Sequence, residues 1–280
     1  MRDKAFRSIR MSVFRGVFLC CIGGLFSIPA VVAQENADPS EGSSANPVTI
    51  GAGGRIVRES PTETGDEAES IFHIHGLWES RYVSEGRDNL DGGHLLSTFT
   101  EFSFGPLTFA PWFAWDPDSD YTELNLSLVA GTNLGDDFEL YAGYTHLRFL
   151  NDNLHDNEIG TGLVYTGLDW IDLGGDAYYS FDAEGTFFEL FATHSIEITD
   201  RLSVKPYSIL GFNAGYVADG HDGANNLIVG LEADWKLSRH LVLNAFTSYN
   251  WAIDRDAVNY ADDESLGDFF WGGVGFRIDF

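Results

Sequence analysis

His73 and His75 flank Ile74, so a strand would place both imidazoles on one face, a geometry that metal ligation permits. No cysteine or obvious third ligand accompanies them, and the expected role is that of interior polar residues. In "WDPDSDYTE", Asp116, Asp118 and Asp120 have the spacing of a calcium loop. Tyr121 stands where that loop needs its glycine, however, and Ser127 where it needs a bidentate glutamate. This stretch and the later "DRDAVNYADDESLGD" are expected to be acidic loops that collect divalent cations weakly, with no cofactor. Nucleophilic chemistry has less support. His194 and Ser195 are adjacent and His94 and Ser97 three apart, so on a strand each pair points to opposite faces and cannot share a hydrogen bond. No G-x-S-x-G stretch occurs. No catalytic residue is assigned and no enzyme is expected.

A different pattern recurs along the chain: charges set within the alternating apolar and polar segments, on the face opposite the apolar positions. Glu79, Arg81, Glu101, Glu123, Asp172, Asp176, Glu189, Glu232, Asp234 and Arg277 all sit this way, as does Lys205. Beside them run apolar combs on the opposite parity: Leu124, Leu126 and Leu128; Ile159, Leu163 and Tyr165; Leu227, Val229, Leu231 and Trp235; Leu241, Leu243 and Tyr249. Successive strand side chains point to opposite faces, so each segment has one apolar and one polar face. Charges at bilayer depth are tolerated where they line a water-filled lumen. These charged residues are therefore candidate lumen-lining groups, with the combs facing lipid.

Strands must position them. From about Ile71 onward, stretches of ten to fourteen residues alternate apolar and polar between Gly, Asp and Asn clusters, without helical periodicity. The expected strands are 71–83, 93–104, 106–115, 121–132, 136–149, 156–166, 170–182, 185–198, 201–213, 224–236, 239–252 and 268–280. Their connections alternate in length, short ones such as "FGP" and "TDR" against longer acidic ones such as "SEGRDNLDGG" and "IDRDAVNYADDESLGD". That alternation is expected of an all-β, twelve-stranded antiparallel up-and-down transmembrane β-barrel, with short turns in the periplasm. Aromatic residues near strand ends are expected at the bilayer interfaces: Trp235, Phe104, Phe138 and Phe280 below, Tyr82, Trp115, Tyr165 and Trp251 above.

The N-terminus supports an exported protein. Arg2, Lys4, Arg7, Arg10 and Arg15 precede an apolar run from Val17 to Ala33, read as a signal peptide over 1–33. Both cysteines, Cys20 and Cys21, lie within it, so the mature chain has no thiol chemistry. Its removal takes away a net +4 from the formal −27 and leaves −31. So acidic a chain repels nucleic acid, and no nucleic-acid partner is expected. Residues 34–70, rich in Ser, Gly, Pro and Glu, read as a flexible periplasmic tail. The barrel takes 71–280. No apolar run after Ala33 is long enough for a membrane helix.

The C-terminal "GFRIDF", with Phe276, Ile278 and Phe280 on one parity, resembles the assembly signature of bacterial outer-membrane β-barrels. The block "GLWESRYVSEGRDNLDGG" resembles the first hairpin of the TorF-type porins, the likeness resting mainly on Ser80 to Gly93. The resemblance implies an outer-membrane location, recognition of Phe280, Ile278 and Phe276 by the barrel assembly machinery, and a porin-like role with no catalytic residues. With an acidic lumen, the expected function is passage of small solutes with cation preference. The rival readings are a structural or adhesive barrel without conduction and, less favoured, a barrel-embedded lipid hydrolase.

Overall fold

The structure is a computed structural model that describes residues 48–50, 56–58 and 72–280. The signal-peptide reading of 1–33 lies outside the described residues, as does most of 34–70. Within that second segment, Val48–Ile50 pairs antiparallel with Ile56–Arg58.

From Phe72 the chain runs as twelve antiparallel strands: β1 Phe72–Glu79, β2 Leu95–Phe104, β3 Leu107–Trp115, β4 Thr122–Leu134, β5 Phe138–Phe149 and β6 Leu154–Tyr165. Then follow β7 Asp172–Ser180, β8 Gly185–Thr193 continued by Ile196–Thr199, β9 Leu202–Ala214, β10 Gly223–Ser238, β11 Leu241–Ala252 and β12 Phe269–Asp279. Each strand pairs with the next, and β12 pairs with β1 from Gly273↔Glu79 to Asp279↔His73, which closes the barrel. An up-and-down meander of this kind leaves no sheet edge.

Prolines mark where the ladder breaks. Pro206 on β9 stands opposite His194, whose amide still donates to the Pro206 carbonyl at 3.2 Å. Pro206 has no N–H to return the bond, and β8 is interrupted there. Pro111 interrupts β3 in the same way. Pairing with β2 holds at Phe99↔Trp112 and Phe102↔Phe109 and is lost between them. On its other side, Pro111 keeps its register with Leu126.

The face assignment follows the register. Glu123, Asn125, Ser127 and Val129 are buried inside β4, while Leu128 and Ala130 are exposed outside. The exposed outer belt includes Ile159, Leu163, Val229, Leu231, Phe270, Val274 and Phe276, an apolar surface suited to lipid. Phe104, Phe138, Trp235 and Phe280 are exposed at the short-turn end, as expected. Two aromatics depart from expectation. Tyr165 pairs with Phe138, ring centroids 5.0 Å apart, so it lies at the short-turn end rather than above. Tyr82 is not in the interfacial girdle at all; it is buried inside the barrel mouth.

The expected first strand is also too long. It ends at Glu79, and residues 80–94 form a loop carrying a miniature hairpin, Val83–Ser84 against Arg87–Asp88. Its central residues Glu85 and Gly86 have φ of 47° and 71°, the paired positive values of a type I′ turn.

Candidate lumen and mouth

The inner wall is built by parity. Of the ten charged residues singled out by sequence, nine lie on inner-face positions of strands: Glu79, Glu101, Glu123, Asp172, Asp176, Glu189, Glu232, Asp234 and Arg277. Arg81 lies beyond the end of β1. It pairs with Asp88 inside the loop and places its guanidinium 5.3 Å from the Phe269 ring centroid. Parity also adds the acids Glu139, Asp156, Glu158, Glu197 and Asp279. All but Asp156, which lies between His155 and Asn157, are one residue removed from an outward apolar position, as Glu158 is from Ile159, so the same comb contained the signal.

Near the short-turn end the inner charges are partly paired. Lys205 Nζ is 3.1 Å from Glu232 Oε2, and Arg277 Nε lies 2.9 Å from Asp279 Oδ1 as an ion pair. His73 Nδ1 is 2.7 Å from the same Asp279 oxygen, and His75 Nε2 is 3.3 Å from Glu101 Oε2. The two histidines thus serve separate carboxylates, which agrees with interior polar residues. Higher up, tyrosines hold the acids: Tyr141 donates to Asp176, Tyr178 to Glu189, and Tyr82 and Tyr121 both to Glu123. Gly162 makes room for the first of these, since a Cβ there would overlap both the Tyr141 ring and the Asp176 carboxylate.

Toward the long loops, the lumen is crossed. Tyr82 from loop 80–94 packs with Leu95, Phe99, Ala110, Trp112 and Ala114 on the inner faces of β2 and β3. The tip of the same loop reaches the β10–β11 wall, where Asn250 Nδ2 donates to the Gly86 carbonyl at 3.0 Å and Asn225 Nδ2 to that of Glu85 at 2.7 Å. Gly86 lies so close to Asn226 that no side chain fits there. Glu123, 1% exposed, ends up enclosed between the loop and β4.

Arg87 fixes this arrangement. It is 3% exposed and donates to Asp263 Oδ1 at 2.9 Å, to Asn225 Oδ1 at 2.8 Å, and to the carbonyls of Glu85 and Asp262. Asp263, fully buried, sits on the short 3-10 helix Ala261–Glu264 in loop 253–268. It also accepts from the His221 amide at 3.3 Å and the Asp256 amide at 2.9 Å, with His221 Nδ1 at 2.6 Å. One carboxylate therefore ties loops 80–94, 215–222 and 253–268 together. Burial pushes the Asp263 carboxyl up, but the Asp256 amide and the His221 imidazole and amide outweigh it, leaving it below its ordinary 3.8. Burial in turn lowers the Arg87 guanidinium, against the pull of Glu85 and Asp263. Sequence periodicity had no access to this cluster, because loops carry no period.

No protein-family model and no curated protein matches the sequence. Among solved structures, the chain is similar to the KdgM porin at 8% identity with a TM-score of 0.53, covering 74% of this chain and 99% of that one. It has the fold of an outer-membrane porin. The NanC porin agrees, at 9% identity and TM-score 0.51, covering 75% of this chain and all of that one. A KdgM porin in complex with disordered oligogalacturonate also scores 0.51, at 9% identity, covering 74% and 99%. These likenesses concern the barrel fold. They do not touch the TorF-type resemblance of Ser80 to Gly93, the segment that here folds into the mouth. His94 Nε2 lies 3.5 Å from Asp118 Oδ2.

Proposed function

We propose that the barrel passes small solutes across the outer membrane with a preference for cations. One observation carries this reading: the inner faces of the strands hold thirteen carboxylates, the eight named by sequence and the five that parity adds, against three permanent cations, Lys205, Lys236 and Arg277. A narrow passage with low-dielectric walls focuses the field of such an excess and concentrates cations within it. The loop across the mouth supports restriction to small solutes. The KdgM structure holds oligogalacturonate, an acidic oligosaccharide; the carboxylates of this inner wall would repel such a polyanion, which argues against a polyanionic cargo. In the same reading the 1–33 leader is removed on export, and Phe280, Ile278 and Phe276 are recognised during assembly.

Charge-neutralising variants test the path. Glu232 is partly open to the lumen and paired with Lys205. Glu232→Gln removes one negative charge and leaves Lys205 without this partner, so the cation-to-anion permeability ratio should fall. An unchanged ratio would remove the β9–β10 wall from the path. A second reading, a structural barrel without conduction, draws on the packed mouth and would be favoured by absent conductance in both the parent protein and mouth variants.

A further inference from the structure

At the root of loop 80–94, where it enters β2, His94 meets the loop between β3 and β4. One ligand atom each from His94, Asp116 and Asp118 lies within 4.8 Å of the others. His94 Nε2 and Asp118 Oδ2 are 3.5 Å apart, close to the roughly 3.4 Å separating two ligands on a tetrahedral zinc with bonds of about 2.1 Å. The third member is the unusual one. Asp116 is only 5% exposed, yet its side chain receives a single hydrogen bond, from the Asp118 amide to Oδ1 at 3.0 Å. Oδ2 has no hydrogen-bond partner and lies against Gly93, where an added Cβ would come within 3.1 Å of it. No protein donor reaches Asp116 Oδ2, so this oxygen is open to a cation that His94 and Asp118 would share.

We propose that His94, Asp116 and Asp118 form a binding site for a divalent transition metal of the zinc class. An imidazole nitrogen with two carboxylate oxygens suits zinc better than calcium or magnesium, which take oxygen ligands throughout. Three protein ligands leave a position for water. The sequence reading grouped Asp116 with Asp118 and Asp120 as a calcium-like loop; the geometry replaces Asp120 with His94, 22 residues upstream of Asp116. Bound metal would join the root of loop 80–94 to loop 116–121, and so brace the segment that crosses the mouth.

The test uses the full-length mature barrel, purified in detergent and stripped with chelator, titrated calorimetrically with zinc chloride and separately with calcium chloride. One zinc per chain is expected in the parent protein, with calcium weaker by tenfold or more. His94→Ala and Asp118→Asn should each weaken the zinc site at least tenfold. Both side chains are accessible, Asp118 at 78%, and heat-modifiable mobility on gels confirms that the variants fold. Asp120→Asn should leave zinc binding unchanged. Failure of the parent protein to bind zinc would overturn the proposal, as would unchanged stoichiometry and affinity in His94→Ala, which would assign the metal to other histidines. Equal binding of calcium and zinc, insensitive to His94, would reduce the site to an acidic loop and overturn it too.

Discussion

Asp263→Ala is expected to release the loops that cross the barrel mouth. The substitution removes the acceptor for Arg87 Nη2, both the amide and imidazole contacts of His221, and the Asp256 amide contact. Arg87 and Asp263 have side-chain exposures of 4% and 0%, so solvent compensates little. Removing one partner of a buried ion pair costs about 3–5 kcal/mol. Arg87 keeps the Asn225 side chain and two carbonyls as acceptors, which favours the lower end, about 3 kcal/mol. At about 1.4 kcal/mol per decade, that shifts the docked-to-undocked equilibrium of loop 80–94 by about a hundredfold. The assay is single-channel recording, with limited proteolysis of the loop as a second readout. The variant should spend more time in larger-conductance states and be cut faster between Ser80 and Gly93. Arg87→Met combined with Asp263→Ala should fall short of the sum of the two single effects, since the two residues share one interaction. Unchanged conductance together with unchanged cleavage would refute the view that this carboxylate holds the loops in place.

Other consequences are more local. Gly162→Val would drive a side chain into the Tyr141–Asp176 pair, at a cost of about 1–3 kcal/mol, read as a lower unfolding temperature; Leu163→Ile on the outward face should be near neutral. Deleting Phe280 should reduce the amount of folded barrel in the membrane while leaving the conductance of the inserted fraction unchanged. On acidification the docked mouth should persist through pH 4, because a carboxyl held below 3.8 contributes its stabilisation above that value and loses it only as pH falls through the lower, folded-state value. Loop cleavage that accelerates between pH 7 and pH 5 would contradict that assignment.

Most of the wall was legible in the sequence because a strand's period of two ties every residue to its neighbours. Glu123 falls inside because Leu124, Leu126 and Leu128 fall outside, and one correct comb fixes the parity of the whole strand. The same logic contained Glu158 and Glu139, which a fuller use of parity would have added. Tyr165 was placed at the wrong end although strand direction sufficed, since β6 runs from a long loop toward a short turn. The break at His194 was readable in principle from Pro206, but only once the register was known. The mouth is different in kind. Arg87 and Asp263 are 176 residues apart and join loops without periodicity, so nothing local distinguishes them from solvated charges. Tyr82 illustrates the same limit: an aromatic at a strand end suits an interfacial girdle and a packed lumen equally well, and only the position of Trp112 and Tyr121 decides between them.

The central claim is that an acidic lumen selects cations, and the reversal potential across a planar bilayer tests it most directly. With the purified barrel in a potassium chloride gradient, the current should reverse at a potential whose sign marks potassium as the more permeant ion. Reversal at the chloride side, or at zero, would contradict the claim.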